Sequence, residues 1–84
     1  MEDDLFSVRQ LKAARALIGW SQEDLAVASG VSLPTIARLE AQDTEVLGGR
    51  AVTIQAIRSA LQAANIDFIG STGGGRGVRL VRRS

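Results

Sequence analysis

The sequence predicts a mainly α fold, a compact domain of four to five helices followed by a short C-terminal β-hairpin or strand. Three observations support this prediction. Apolar residues recur at helical spacing in several segments between residues 7 and 64. Serines and glycines stand where these helices would begin and end. From residue 66 onward the apolar residues alternate with polar ones, which is the pattern of a strand.

The first helix is predicted from about Ser7, its N-cap, to Ile18, and Gly19 ends it. One face of this helix carries Val8, Leu11, Ala14, Arg15 and Ile18. Trp20 stands just before the next cap, where a hydrophobic staple packs on the helix that follows. We therefore expect Trp20 to belong to the core or its rim.

The second and third helices are short and are joined by a tight turn at Gly30, where a left-handed residue is needed. Ser21 caps the second helix, whose apolar face is predicted to hold Leu25, Ala26 and Ala28. Two short helices joined in this way form the arrangement that places one helix in the major groove of DNA.

Ser32 caps the third helix, and Pro34 lies in its first turn, where a missing N–H is harmless. Ile36 and Leu39 point to the core at helical spacing, which leaves Thr35 and Arg38 facing outward. After a polar loop over residues 41–49, a fourth helix is predicted from Arg50 or Ala51 to Ala64. Its apolar stripe and small residues are Ile54, Ile57, Leu61 and Ala64, with Ala56, Ala60 and Ala63 beside them.

The tail predicts two strands, one over residues 66–69 and one over residues 77–83. The glycine-rich run between them lacks the strand-then-helix setting and the Lys-Ser/Thr ending of a phosphate-binding loop, so we interpret it as a hairpin connection. Two strands alone are marginally stable in water. We therefore expect them to lie on the helical core or to pair with a second copy.

Composition excludes several classes of function. The chain has no cysteine and no histidine, which removes disulfides, thiolate or imidazole metal sites and the commonest catalytic bases. We predict no enzymatic activity, no cofactor and no metal. No apolar run approaches the roughly 18 residues of a membrane span, and the acidic start is unlike a signal peptide. A cytoplasmic protein without a membrane partner is expected.

The net charge is only +1, but charges are sorted along the chain. Acids outnumber bases up to Glu45, whereas six arginines face the single acid Asp67 from Val46 onward. A local basic surface binds phosphate even when the total charge is near neutral, because screening limits each charge to its neighbourhood. A solubilising tail is the alternative. Three possibilities stay open for the tail arginines: they contact phosphates, they lie on the outer face of a strand, or they are disordered. These arginines are Arg76, Arg79, Arg82 and Arg83.

The segment from Val8 to Leu61 resembles the Cro/C1-type (XRE) helix-turn-helix family of small bacterial and phage transcription regulators. The resemblance rests on the patterns RxxxGWSQEDLA and GVSxxTIxRLE. It implies a lambda-repressor-like domain over residues 1–65, with the helix-turn-helix at about 21–40, and a tail over 66–84 for dimerisation or DNA-backbone contact. It also implies a sequence-specific regulator, most often a repressor, that binds double-stranded DNA and is nucleoid-associated when bound.

The resemblance assigns roles to individual residues. Gln22 matches the position that anchors a DNA phosphate, and Arg50 with Thr53 match the region that contacts the backbone beside the groove. The start and outer face of the recognition helix, predicted over residues 32–41, match positions that reach the bases: Ser32, Leu33, Pro34, Thr35 and Arg38. Known members often carry glutamines where Leu33 and Pro34 stand, and a glutamine binds adenine with two hydrogen bonds. This chain loses that contact, and an apolar contact with a thymine methyl group would take its place.

Arg15 and Glu40 match a buried or half-buried ion pair that links the first helix to the end of the recognition helix. The family resemblance also implies a homodimer on an inverted-repeat operator. Its contact would use the end of the fourth helix and the strands, with these apolar anchors: Ile66, Phe68, Ile69, Val78 and Leu80. The alternative function is a protein-interaction module, such as an antitoxin or an antagonist of another regulator, with a second protein as partner.

Overall fold

The computed structural model describes residues 6–42, 48–70 and 75–81. These residues form helices α1 (Val8–Ile18), α2 (Gln22–Ser29), α3 (Leu33–Glu40) and α4 (Ala51–Ala63), followed by strands β1 (Ile66–Ile69) and β2 (Gly77–Leu80). The predicted mainly α fold with a C-terminal hairpin is confirmed, with four helices in the described ranges. The acidic start, most of the glycine run and the last two arginines lie outside the described residues.

Capping residues set the helix ends at the predicted positions. The Ser7 hydroxyl accepts from the Gln10 N–H at 3.0 Å, and the Gln10 side chain accepts from the Ser7 N–H at 2.8 Å. Ser21 and Asp24 form the same reciprocal pair at the start of α2. Gly19 and Gly30 adopt left-handed φ angles of 70° and 75°, which an L side chain adopts only with strain.

The fourth helix ends one residue earlier than predicted and leads directly into β1. Asn65 follows the helix with a φ of 73°, a conformation that asparagine tolerates better than most residues. Its carbonyl accepts from the Val81 N–H at 2.8 Å. Asn65 thus both ends α4 and closes the open end of the hairpin.

All four helices and β1 contribute side chains to one hydrophobic core. Leu25 is the only fully buried residue of α2. Ala28 is exposed, but it lines an apolar hollow with Trp20 and Ala60 of α4. Ala63 is exposed as well. Trp20 is half-buried and packs against the core, as expected. The buried core residues are Phe6, Val8, Leu11, Ala14, Leu25, Ile36, Leu39, Ile57, Leu61 and Ile66.

The two strands pair with each other in antiparallel register and lie on the helices, with β2 against α1 and β1 against α4. Cross-strand partners share a face, so Ile66 and Phe68 lie on the same face as Leu80 and Val78. Ile66 is only 3% exposed and belongs to the core of its own chain. It is therefore unavailable as an apolar anchor for a second copy.

Gln10 fastens the hairpin to α1. Its side-chain N–H groups donate to the backbone carbonyls of Ile69 and Gly77, each at 2.9 Å. Because its carbonyl oxygen also accepts from the Ser7 N–H, this one buried amide joins a helix cap to both strands. Packing adds to these bonds, since the rings of Phe6 and Phe68 lie 4.7 Å apart.

Replacing Gln10 should therefore loosen the hairpin and destabilise the whole domain. We expect Gln10→Ala to lower the free energy of unfolding by about 2–3 kcal/mol, because three hydrogen bonds of about 1 kcal/mol each are lost. A domain of this size then melts roughly 10–20 °C lower. Thermal denaturation followed by circular dichroism measures the change.

The matched control is Gln55→Ala, which removes an exposed glutamine of α4 whose amide donates to the exposed Ser59 hydroxyl within the same helix. Its melting temperature should stay within a few degrees of the parent. Equal melting temperatures for the two variants would contradict the role of Gln10.

Candidate nucleic-acid interface

The helix α3 is held between the core and solvent in the way that a recognition helix requires. Ile36 and Leu39 are buried on its inner side, whereas Leu33, Pro34 and Arg38 are exposed on its outer side. The helix begins at Ser32, whose hydroxyl accepts from the Thr35 N–H at 3.4 Å and donates to the Thr35 hydroxyl at 2.8 Å. The start of α3 is thereby fixed close to the turn that leaves α2.

Arg15 and Glu40 form a bidentate ion pair between the last turns of α1 and α3. The Arg15 Nε and Nη2 atoms donate to the two carboxylate oxygens of Glu40 at 2.7 and 2.6 Å. The Arg15 Nη1 atom donates to the carbonyl of Trp20 at 2.8 Å. Side-chain exposure is 19% for Arg15 and 3% for Glu40, so water screens this pair little.

Protonation of both partners is set by this contact. Burial opposes the charged form of Glu40, but hydrogen bonds from Arg15 and Gln22, with the charges of Arg15 and Lys12, outweigh it. The pKa of Glu40 consequently lies below its ordinary value. The hydrogen bond with Glu40 raises the pKa of Arg15 against the opposing effect of burial. Both groups are charged at neutral pH.

Gln22, the first residue of α2, is half-buried against the same pair. Its Nε2 atom donates to Glu40 Oε1 at 3.1 Å, which uses one of the two amide hydrogens. The remaining amide hydrogen and the backbone N–H groups at the start of α2 are the donors that a phosphate would meet there. Gln22 thus couples the first turn of α2 to the last turn of α3.

Arg38 and Arg50 line one cleft between α3 and the start of α4. The cleft has a volume of about 350 Å³, and its described lining contains both arginines and no carboxylate: Thr35, Arg38, Leu39, Gly49, Arg50 and Thr53. Both arginine side chains belong to exposed residues. Two cations and two hydroxyl groups around an open cleft suit contact with a phosphate backbone.

Gly49 shapes this cleft, although the sequence predicts it only as part of the loop over residues 41–49. Gly49 has a φ of 150°, and a Cβ atom built on it would lie 3.1 Å from Leu39 Cδ2. Because Leu39 is buried, a larger residue at position 49 would press on the Leu39 side chain and would be strained at this φ. The Gly48-Gly49 pair was the available signal, but nothing in the sequence indicates which side chain it approaches.

Among the tail arginines, Arg79 forms an exposed ion pair with Asp67 across the hairpin. Arg76 is exposed beside the start of β2. In the described ranges, no helix is long and apolar enough to cross a membrane. The described residues also contain no cluster of acidic side chains arranged to hold a metal ion.

A protein-family model described as Helix-turn-helix matches residues 11–61 of the chain. The chain belongs to the Cro/C1-type helix-turn-helix family. The match covers more than half of the sequence and includes α2, the turn at Gly30, α3 and most of α4. This Cro/C1-type protein is therefore a DNA-binding helix-turn-helix regulator. No match was found among curated proteins.

The family match begins after Gln10 and ends before β1. The hairpin and its attachment to α1 thus lie outside the part of this Cro/C1-type chain that the family model describes. The ion pair of Arg15 and Glu40, the candidate phosphate donors and the cleft arginines all lie inside it.

The Arg15–Glu40 pair predicts a pH-dependent stability. The pKa of Glu40 is lower in the folded than in the unfolded chain, so the ionised carboxylate stabilises the fold. This contribution to the free energy of unfolding is fully present above the ordinary glutamate pKa of about 4.3. That contribution is lost as the pH falls through the folded value. Glu40→Gln should cost about 3 kcal/mol at pH 7, because it leaves Arg15 without its counter-ion. Urea denaturation at several pH values measures both effects.

The matched control is Asp67→Asn, which removes a carboxylate from an ion pair whose partners are 65% and 45% exposed. It should change stability by less than about 1 kcal/mol. If Glu40→Gln loses as much stability on acidification as the parent does, the carboxylate of Glu40 is not the titrating group.

Proposed function

We propose that this protein is a sequence-specific regulator of transcription that acts as a homodimer, with α3 of each copy in the major groove of an operator. The observation that carries the proposal is the combination of a Cro/C1-type helix-turn-helix with a cleft that joins Arg38 to Arg50 and has no carboxylate among the described residues that line it. The recognition helix and the backbone-contacting loop then approach DNA from the same side.

Each residue of the interface takes a distinct role in this proposal. Gln22 and the start of α2 hold one phosphate, and Arg50 with Thr53 hold the backbone on the opposite side of the groove. Ser32 and Thr35, whose hydroxyls bond to each other at the start of the helix, would reach the DNA there, and Leu33, Pro34 and Arg38 would face the bases. Repression follows because a small protein seated on a promoter blocks polymerase. The protein would act in the cytoplasm, on the nucleoid.

The proposed dimer contact uses the hairpin. Ile69 is 38% exposed and Leu80 is 47% exposed, whereas Phe68 and Val78 pack partly on the core of their own chain. In a dimer bound to two half-sites, the copies of α3 would lie about 34 Å apart, one turn of the duplex, and the hairpin contact would hold them at that spacing. The operator would then be an inverted repeat.

A protein-interaction module is the second candidate, because the exposed side of α3 is largely apolar. Leu33 is 38% exposed there, next to the exposed Pro34. An antitoxin or an antagonist of another regulator would use such a surface to bind a protein. The two candidates differ in their response to salt, since DNA binding releases counterions from phosphates and weakens steeply as salt rises.

Arg38→Ala should weaken specific DNA binding more than non-specific binding. After selection of a preferred site from random DNA, we expect a loss of about 1–3 kcal/mol on that site, because one arginine contact to a base edge is removed. Fluorescence anisotropy at several salt concentrations measures both affinities. An exposed arginine of α1 supplies the control, and Arg9→Ala should leave the ratio of specific to non-specific affinity unchanged.

A selection that enriches no sequence, carried out with folded protein, would contradict DNA reading and favour the interaction module. Equal losses on specific and random DNA would assign Arg38 to a phosphate rather than a base.

The dimer proposal predicts that polar substitutions on the hairpin change the oligomeric state. Ile69 and Leu80 lie on opposite faces of the hairpin, so Ile69→Ser and Leu80→Ser are made separately. At least one of them should shift the protein from dimer to monomer, because it removes the apolar contact while both positions are exposed enough to keep the fold. Light scattering after size exclusion gives the mass. Leu17→Ser is the control, since Leu17 is 46% exposed on α1. A monomeric parent protein would overturn the dimer.

A further inference from the structure

The exposed side of α3 is chemically simple. One side of the helix carries exposed residues at helical spacing, and Arg38 is the polar one among them: Leu33, Pro34, Ala37, Arg38 and the C-cap Ala41. The exposed N-cap Ser32 and the half-buried Thr35 add hydroxyl groups next to this side. A helix that reads bases through amides or carboxylates would carry Asn, Gln, Asp or Glu at such positions. This helix carries none there.

Polar side chains near α3 are already bonded within the domain. Gln42 uses its amide nitrogen and oxygen on the backbone of Gly48, at 3.1 and 3.0 Å. Gln22 donates to Glu40, and Glu40 binds Arg15. The hydroxyls of Ser32 and Thr35 bond to each other. In the described part of the chain, the exposed side of α3 itself thus carries no amide or carboxylate that could accept from the amino group of adenine or cytosine.

The chemistry of the major groove then limits what this surface can select. Guanine presents two acceptors that fit an arginine, and the C5-methyl group of a pyrimidine is the one apolar group on the base edges. We propose that Leu33, Pro34 and Ala37 select C5-methyl groups, those of thymines, beside a single guanine bound by Arg38. This inference rests on the proposed function, because it requires α3 to enter the groove.

The test removes single methyl groups from the DNA. The selected operator is synthesised with deoxyuridine in place of one thymine at a time, which deletes the C5-methyl group and leaves base pairing intact. At one or more positions in each half-site we expect affinity to fall about fourfold, the equivalent of one buried carbon. Cytosine and 5-methylcytosine at the same positions form a further arm, which separates thymine reading from recognition of methylated DNA.

Protein variants connect the methyl groups to the helix. Leu33→Ala should abolish the difference in affinity between thymine and deoxyuridine at the base that Leu33 contacts. It should leave the difference unchanged at the other sensitive bases. Leu17→Ala, which truncates a leucine of similar exposure on α1, should leave every difference intact. Both positions are exposed, and unchanged melting curves verify that both variants fold.

The outcomes separate the inference from the function on which it rests. Thymine recognition is supported if deoxyuridine lowers the affinity at some positions and the Leu33→Ala variant no longer shows that loss. Tighter binding of 5-methylcytosine than of thymine at those positions would overturn the choice of thymine. Sequence-selective binding without any sensitive position would overturn methyl reading and leave the regulator in place. Absence of any selectivity for DNA would overturn both, and the apolar side of α3 would then be a surface for a protein.

Discussion

The ion pair between Arg15 and Glu40 is the contact on which the arrangement of the helix-turn-helix depends. Glu40 lies in the last turn of α3, where the helix dipole disfavours a negative charge, and it is 3% exposed. Arg15 offsets both costs, and its third contact, with the carbonyl of Trp20, fixes the segment that enters α2. Gln22 completes the junction from α2. Because Leu25 is the only fully buried residue of α2, these polar contacts add to the few apolar ones that hold α2 against α3.

A second polar group, Gln10, has the corresponding role at the opposite end of α1. It joins the cap of α1 to both strands, and Phe6 and Phe68 pack beside it. Arg58 of α4 lies over the Phe68 ring at 5.0 Å, so α4 contributes to the same junction. The first helix therefore has a hairpin attached to its first turn and the DNA-reading unit attached to its last turn. A dimer built through the hairpin would transmit its geometry to α3 through this one helix.

Local structure could be predicted from the sequence because it depends on residues close together in the chain. Ser7, Ser21 and Ser32 form caps, and Gly19 and Gly30 adopt the left-handed conformation. The sequence could not show which helices the hairpin packs on. Alternation of apolar and polar residues shows which face of a strand is apolar, but not which element covers that face. The spacing of Ser7 and Gln10 is that of a capping box, but nothing in it indicates that the other end of the Gln10 amide binds both strands. At the site, the motif indicated Arg38 and Arg50 separately, but their shared cleft depends on how closely Gly49 approaches Leu39.

The sparse charge of the interface has a consequence for how such a protein would bind DNA. Net charge is +1, and the cleft holds two arginines per copy. Each phosphate contact contributes a slope of about −0.9 to the logarithmic dependence of affinity on salt, and non-specific affinity rises with the number of such contacts. One copy with few contacts is held weakly on any sequence. Two copies on an inverted repeat double both the phosphate contacts and the base contacts at a single loss of translational freedom. For a weakly charged reading surface, tight binding would therefore depend on the paired subunits of the proposed dimer more than on the charge of each copy.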